Sequence, residues 1–442
     1  METICAIATA PGGAIGVVRL SGDDAISLTE KILDRNLQEK VTYAHILDNG
    51  EILDEVIVTI FRLPHSYTGE NTAEISCHGS PYILQRTMEL LVAQGCKPAR
   101  PGEFTQRAFL NHKMDLSRAE AVADLIAARS KAQQKMAMQQ MRGNFSKSLS
   151  ELRDQLLHIT SLLELELDFS DHEDLEFADR SELIALAKTI EEKVSSLLNS
   201  FKLGNAIKHG VPVAIVGKTN AGKSTLLNAL VGEERALVSD INGTTRDTIE
   251  DIVNIEGTLF RFIDTAGIRR TDDIVETMGI ERTFQTIAKA DIVLWVIDAQ
   301  DSKDVLKELE QQMRQHCDSK KLICVFNKTD LQFPQFIPKG IDTVSISAKM
   351  NIGMDKLRDL LKVSTDIAPA EDVIVSNIRH YEALCEARTS LERAQSGLIN
   401  HLSGEFVSQD LRACIQSLSE IVGDITSQSV LNNIFSHFCI GK

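Results

Sequence analysis

The stretch Gly217-Lys218-Thr219-Asn220-Ala221-Gly222-Lys223-Ser224 fits the spacing G-x-x-x-x-G-K-[ST]. An apolar, strand-like run, Val211 to Val216, precedes it, and a helix-like run, Thr225 to Val231, follows. Strand, glycine loop and helix in that order make a phosphate cradle. The glycines let backbone N–H groups turn inward, and the helix start adds its positive dipole end. At this spacing Lys223 reaches terminal phosphates and the Ser224 hydroxyl suits Mg²⁺, and Thr225 beside them is expected among the GTP-binding residues.

Three further motifs follow in order. Asp264-Thr265-Ala266-Gly267, after the apolar run Leu259 to Ile263, fits D-x-x-G, whose Asp holds Mg²⁺ through water and whose Gly N–H senses a γ-phosphate. Asn327-Lys328-Thr329-Asp330, after Leu322 to Phe326, fits N-K-x-D. A carboxylate at Asp330 pairs with the N1–H and 2-amino donors of guanine, which adenine lacks, so GTP is expected over ATP. Ser347-Ala348-Lys349, after Val344 to Ile346, fits the loop that backs the base. Each motif stands at the C-terminal end of an expected strand, where open α/β sheets bind ligands. Ile268 stands directly after D-x-x-G, where many small GTPases carry a water-orienting Gln. The attacking water therefore needs another residue.

The chain has 442 residues and a net charge of −16. That charge disfavours non-specific nucleic-acid binding, since phosphates are repelled. The balance is uneven, with ten Lys/Arg against four Asp/Glu from Lys97 to Lys147 and four against thirteen from Ser148 to Ser200. The basic stretch either meets a polyanion or is a solvated helix face. Eight cysteines are scattered without a C-x-x-C pair, which argues against zinc and a disulfide framework and for a reducing cytoplasm. No apolar stretch reaches the roughly 20 residues a membrane helix needs. No secretory signal is visible at the N-terminus.

Residues 1–118 read as α/β, with strands near Val41–Ala44, Val56–Phe61 and Ala73–Cys77 and a helix from Ser80 to Gln94. Ser117 to Phe201 reads as helical apart from an acidic break, Ser170 to Asp174. Leu152, Leu156, Ile159, Leu163 and Leu167 form one apolar stripe, and Leu384, Ala387, Leu391, Ala394 and Leu398 form another. The expected organisation is multidomain, α/β plus all-α. It comprises an N-terminal α/β domain (1–118), a discontinuous helical domain (119–210 and 369–442) and an inserted Ras-like P-loop GTPase domain (211–368).

Asn220 in the phosphate loop and Gly243-Thr244-Thr245-Arg246-Asp247 together resemble GTPases that dimerise through their G domains and use K⁺ in place of an arginine finger. That resemblance implies K⁺ near Asn220, Ser239, Ile241 and Thr244. Thr245 is expected as the second Mg²⁺ ligand, with Thr244 the alternative. Beyond the G domain, four segments carry a wider likeness. They are Arg100-Pro101-Gly102-Glu103-Phe104-Thr105, Lys113-Met114-Asp115-Leu116, Gly423-Asp424-Ile425-Thr426 and the final Cys439-Ile440-Gly441-Lys442. They resemble the MnmE (TrmE) family of tRNA modification GTPases over the whole chain.

The resemblance implies a homodimer whose N-terminal domain binds a tetrahydrofolate derivative, in a 5-formyl or methylene form. It implies an FAD-dependent partner, MnmG, joined in a heterotetramer. The pair would modify C5 of the wobble uridine of certain tRNAs, driven by K⁺-stimulated GTP hydrolysis. It assigns water orientation to Glu281, and a functional thiol to Cys439. Arg19, Glu70, Arg107, Lys113 and Lys442 are the expected folate contacts. Two departures stand out: the family usually has Asp where this chain has Asn71, and Thr-Pro-Pro-Gly where it has Thr9-Ala10-Pro11-Gly12. Arg19 either binds the folate's acidic tail or is an edge-strand arginine in a surface ion pair. His78 is either a base or a cap on the following helix. Arg107, Lys113 and Asp115 either line a cleft or pin a loop. Trp295 is expected in the core.

Overall fold

The computed structural model describes residues 2–10, 12–168, 180–232, 251–263, 284–317, 321–365 and 373–441. The chain forms two compact units, one of residues 1–127, 137–195 and 382–442, the other of 128–136 and 196–381.

In the first unit, six strands form one sheet: β1 (Ile4–Ile7), β2 (Ile15–Ser21), β3 (Val41–Asp48), β4 (Glu51–Phe61), β5 (Thr72–His78) and β6 (Lys97–Pro98). Their order is β3-β4-β5-β2-β1-β6, antiparallel except for the β1–β6 pair. Val56, Val58 and Ile60 alternate inward along β4, and the helix Pro81–Ala93 packs Leu84 and Leu91 into the same core. Pro81 sits in that helix's first turn, where a missing N–H costs nothing.

The rest of the unit is helical. Helix Asn144–Asp168 packs along helix Gly404–Val422. Leu152, Leu156, Ile159 and Leu163 are all buried, as the three-to-four spacing requires, and so are Leu384, Ala387, Leu391, Ala394 and Leu398. The side chain of Leu167 and the acidic break at 170–174 lie outside the described residues.

The second unit is built on β7 (Val211–Val216), β8 (Asp251–Ile255), β9 (Thr258–Phe262), β10 (Ile292–Asp298), β11 (Lys321–Asn327) and β12 (Asp342–Ser345). The order is β12-β11-β10-β7-β9-β8, with only the β8–β9 pair antiparallel. Both faces are covered, which explains the continuous apolar runs. Along β10, Ile292, Leu294 and Val296 join one core with Leu226, Leu230, Leu357 and Leu361, whereas Val293, Trp295 and Ile297 join another with Leu306 and Met313. Trp295 is 2% exposed, as expected of a core residue.

This unit also takes in residues on the helical side of the expected boundaries. Gln133 Nε2 donates to the Lys208 carbonyl at 2.8 Å, and the Val375 N–H donates to Ser200 Oγ at 3.0 Å. Among the described residues, no helix is long and apolar enough to cross a membrane.

Candidate functional site

β7 lies centrally, with β9 on one side and β10 on the other, and the phosphate loop leaves its C-terminal end at this reversal of strand order. Gly217 has φ +151°, and a Cβ there would stand 2.2 Å from the Val296 carbonyl oxygen. Gly222 has φ +94°, and its Cβ would stand 2.1 Å from Asn327 Nδ2. Both positions therefore exclude a side chain on steric and conformational grounds. Asn220, exposed at the loop's tip, is left-handed at φ +64°. Lys223 and Ser224 open the helix Lys223–Gly232. Lys223 Nζ donates to the carbonyls of Gly217 and Lys218, each at 2.8 Å, and burial lowers its pKa. An ammonium held against desolvation in this way gains by meeting an anion.

Asn327 is the residue whose role the motif did not reveal. It is 3% exposed. Its Nδ2 donates to the Ala221 carbonyl at 2.9 Å, and its Oδ1 accepts from the Ala348 N–H at 3.0 Å. One side chain thus ties the phosphate loop, N-K-x-D and the base-backing loop into a single frame. The sequence signal for this is a polar residue closing the apolar run Leu322–Phe326. Ser347 is buried, its backbone bridges to Ile352, and its Oγ accepts from the Met350 N–H. Ala348 is buried beside Asn327, while Asp330 is exposed at the rim. Lys328, left-handed at φ +65°, has its ammonium 2.6 Å from Asp298 Oδ2.

Ser239, Ile241, Thr244 and Thr245 lie outside the described residues, as do Asp264 to Ile268, Glu281 and Lys442.

A model of the MnmE helical domain matches residues 116–439, and one of the GTP-binding protein TrmE N-terminus matches residues 3–113. The chain belongs to the MnmE family. The relative from Bacteroides thetaiotaomicron, described as tRNA modification GTPase MnmE, is 54% identical over 466 residues, covering all of this chain and 99% of that protein. The MnmE of Bacteroides fragilis strain YCH46 is 54% identical over 463 residues, again with 100% and 99% coverage. Among solved structures, an Era variant from Aquifex aeolicus bound to GDP·AlF4⁻ is 29% identical, covering 40% of this chain and 66% of that one, at a TM-score of 0.27.

The two MnmE models meet where helix Glu103–Leu110 turns into helix Leu116–Ala127, beside the remaining expected site residues. Arg107 and Glu70 are spent on each other. Nη1 donates to Glu70 Oε2 at 3.0 Å, with the side chains 8% and 9% exposed. Arg107 Nη2 also reaches Glu103, one helical turn away, a partner readable from the i, i+4 spacing. Ser21 Oγ donates to the same Glu70 oxygen at 2.7 Å. Lys113 Nζ donates to the Pro64 carbonyl at 3.0 Å. Asp115 accepts from the Arg118 N–H.

Arg19 is not on an edge. β2 lies inside the sheet, between β5 and β1. Its guanidinium pairs with Glu74 at 2.8 Å, lies 5.8 Å from the centre of the Phe104 ring, and donates to the Gly441 carbonyl at 3.2 Å. It thereby brings the C-terminal tail to the N-terminal sheet. Cys439 is exposed in that tail, and its carbonyl accepts from the Gly102 N–H at 3.3 Å.

His78 does not cap the helix that follows. It ends β5 and pairs through Nδ1 with the buried Asp54 at 2.6 Å. Asn71, the departure from the MnmE pattern, has a structural use. Its Oδ1 accepts from the Leu63 N–H and its Nδ2 donates to the Asp23 carbonyl, a donation that an Asp cannot make.

Proposed function

We propose that this chain hydrolyses GTP at the frame around Asn327, and that hydrolysis serves modification of the wobble uridine of certain tRNAs at C5, with MnmG as partner. The observation that carries the nucleotide half is the Asn327 tie, which joins the phosphate loop to the base-backing loop through one buried side chain. Family membership carries the tRNA half.

Lys223 turns from its loop carbonyls to the terminal phosphates, and Asp330 selects guanine from the rim. Ser224, in the first helical turn, fits a hard cation's need for oxygen, and with Thr245 it would hold Mg²⁺. Asn220 presents an amide oxygen at the exposed loop tip, and with Ser239, Ile241 and Thr244 it would hold K⁺. Such cations neutralise charge building between the phosphates. Glu281 orients the attacking water.

In the N-terminal unit, Arg19 supplies a positive group over an aromatic ring, which fits an acidic, flat ligand such as a tetrahydrofolate. That ligand supplies a one-carbon unit. On this reading Glu70, Arg107, Lys113 and Lys442, the last outside the described residues, are further contacts of the folate site. Cys439 is the accessible thiol beside it.

The deciding experiment is nucleoside analysis of bulk tRNA from cells lacking the protein. Unmodified or half-modified wobble uridine is expected, and unchanged nucleosides would overturn the tRNA assignment. The cation assignment is tested by comparing GTPase rates in K⁺ and Na⁺. A faster rate in K⁺ is expected, and equal rates would overturn it.

A further inference from the structure

We propose that Asp298 is a positioning residue for guanine nucleotide, acting by fixing the Lys328 side chain as the platform for the base. The inference rests on the reading that residues 217–224 and 327–330 hold one GTP.

β10 runs between β7, which leads into the phosphate loop, and β11, which leads into N-K-x-D. Its last residue, Asp298, stands in register with Asn327. Asp298 Oδ1 accepts from the Gln300 N–H at 3.0 Å, an Asx turn that sets the carboxylate's direction. Its Oδ2 then meets Lys328 Nζ at 2.6 Å. The Ala299 N–H donates to the Asn327 carbonyl at 2.9 Å, which clamps the turn to the base loop. At the turn's far end, Asp301 Oδ1 lies 3.7 Å from Nζ of Lys218 in the phosphate loop. Residues 298–301 therefore reach both loops.

A lysine stem is flexible and loses rotamer freedom when ordered. Here that loss falls on folding, before any ligand arrives, because the backbone is left-handed and the ammonium is pinned at its far end. What remains is an extended strip of methylenes, an apolar surface on which a purine face can lie. Asp298 acts through Lys328 and need not touch the nucleotide.

The test is a double-mutant cycle on the full-length chain, reading the Kd of a fluorescent N-methylanthraniloyl GDP. Asp298→Asn and Lys328→Ala should each weaken binding by about 5- to 20-fold, the loss expected of a charge-assisted contact. The double variant should bind no worse than Lys328→Ala, because both changes remove the same platform. The thermal midpoint of Asp298→Asn without nucleotide should stay near wild type. If that variant is unstable, Asp298→Ser keeps an acceptor for Gln300 and serves instead. Wild-type affinity in the Asp298 variants, or losses that multiply in the double variant, would overturn the assignment alone. A wild-type chain that fails to bind the probe overturns the guanine reading, and this assignment with it.

Discussion

At Gly222 the space a side chain would need is already occupied by the amide of Asn327. Gly222→Ala should therefore push Asn327 off Ala221 and strain a left-handed backbone, at a cost of about 1–3 kcal/mol. The expected outcome is a loss of GDP affinity in calorimetry together with a lowered thermal midpoint. Gly232→Ala, at the end of the helix that Gly222 precedes and with nothing within 4 Å of its Cβ among the described residues, is the matched control and should bind GDP normally. A second residue-scale prediction concerns Glu70. Removing it leaves the Arg107 guanidinium buried with Glu103 as its remaining carboxylate. Glu70→Ala should cost about 2–3 kcal/mol, since a broken buried pair leaves an uncompensated charge, and Glu70→Gln less. Denaturant titration reads both. If Glu70→Ala were neutral, the pair would not be part of the fold's support.

Elements show where sequence reading succeeds and where it stops. The strand and helix positions that carry the nucleotide motifs were legible because period and spacing are local properties. The apolar runs Val211–Val216 and Leu322–Phe326 announce strands buried on both faces. Sheet order is not local, so Arg19 on β2 could not be assigned to an interior strand from its neighbours. Its bond to Gly441 spans 422 residues of sequence, beyond the reach of any pattern. The cap reading of His78 failed for a similar reason, since its partner Asp54 belongs to a different strand. The helix Gln428–Ser436 yields its own prediction. Ser427 accepts from the Val430 N–H as its cap, and Leu431 and Phe435 anchor it against Leu116 and Ala119. Ser427→Ala should cost about 1 kcal/mol. Because this helix leads into the Cys439 tail, proteolysis at the tail should accelerate. An unchanged cleavage rate would show the cap to be dispensable.

Across the whole molecule, the cysteines divide by burial. Cys5, Cys77, Cys96, Cys317, Cys324 and Cys414 are buried, Cys385 is half-buried and Cys439 is exposed. Burial pushes the thiols of Cys77, Cys324 and Cys414 up to about 12, which suppresses the reactive thiolate at neutral pH. Brief iodoacetamide treatment of the native chain, mapped by mass spectrometry, should therefore modify Cys439 first. Early labelling of Cys414 would contradict the packing of helix Gly404–Val422. That helix also has a consequence for synthesis. It covers the apolar stripe of helix Asn144–Asp168, yet more than 230 residues separate the end of one from the start of the other. At roughly 5–20 residues per second, the ribosome takes about 12 to 50 seconds to deliver the cover. Throughout that interval Leu152, Leu156, Ile159 and Leu163 lack the partner helix that finally shields them. The nascent chain should depend on chaperones over this window, while the nucleotide unit, whose strands all lie between, can already complete its own sheet.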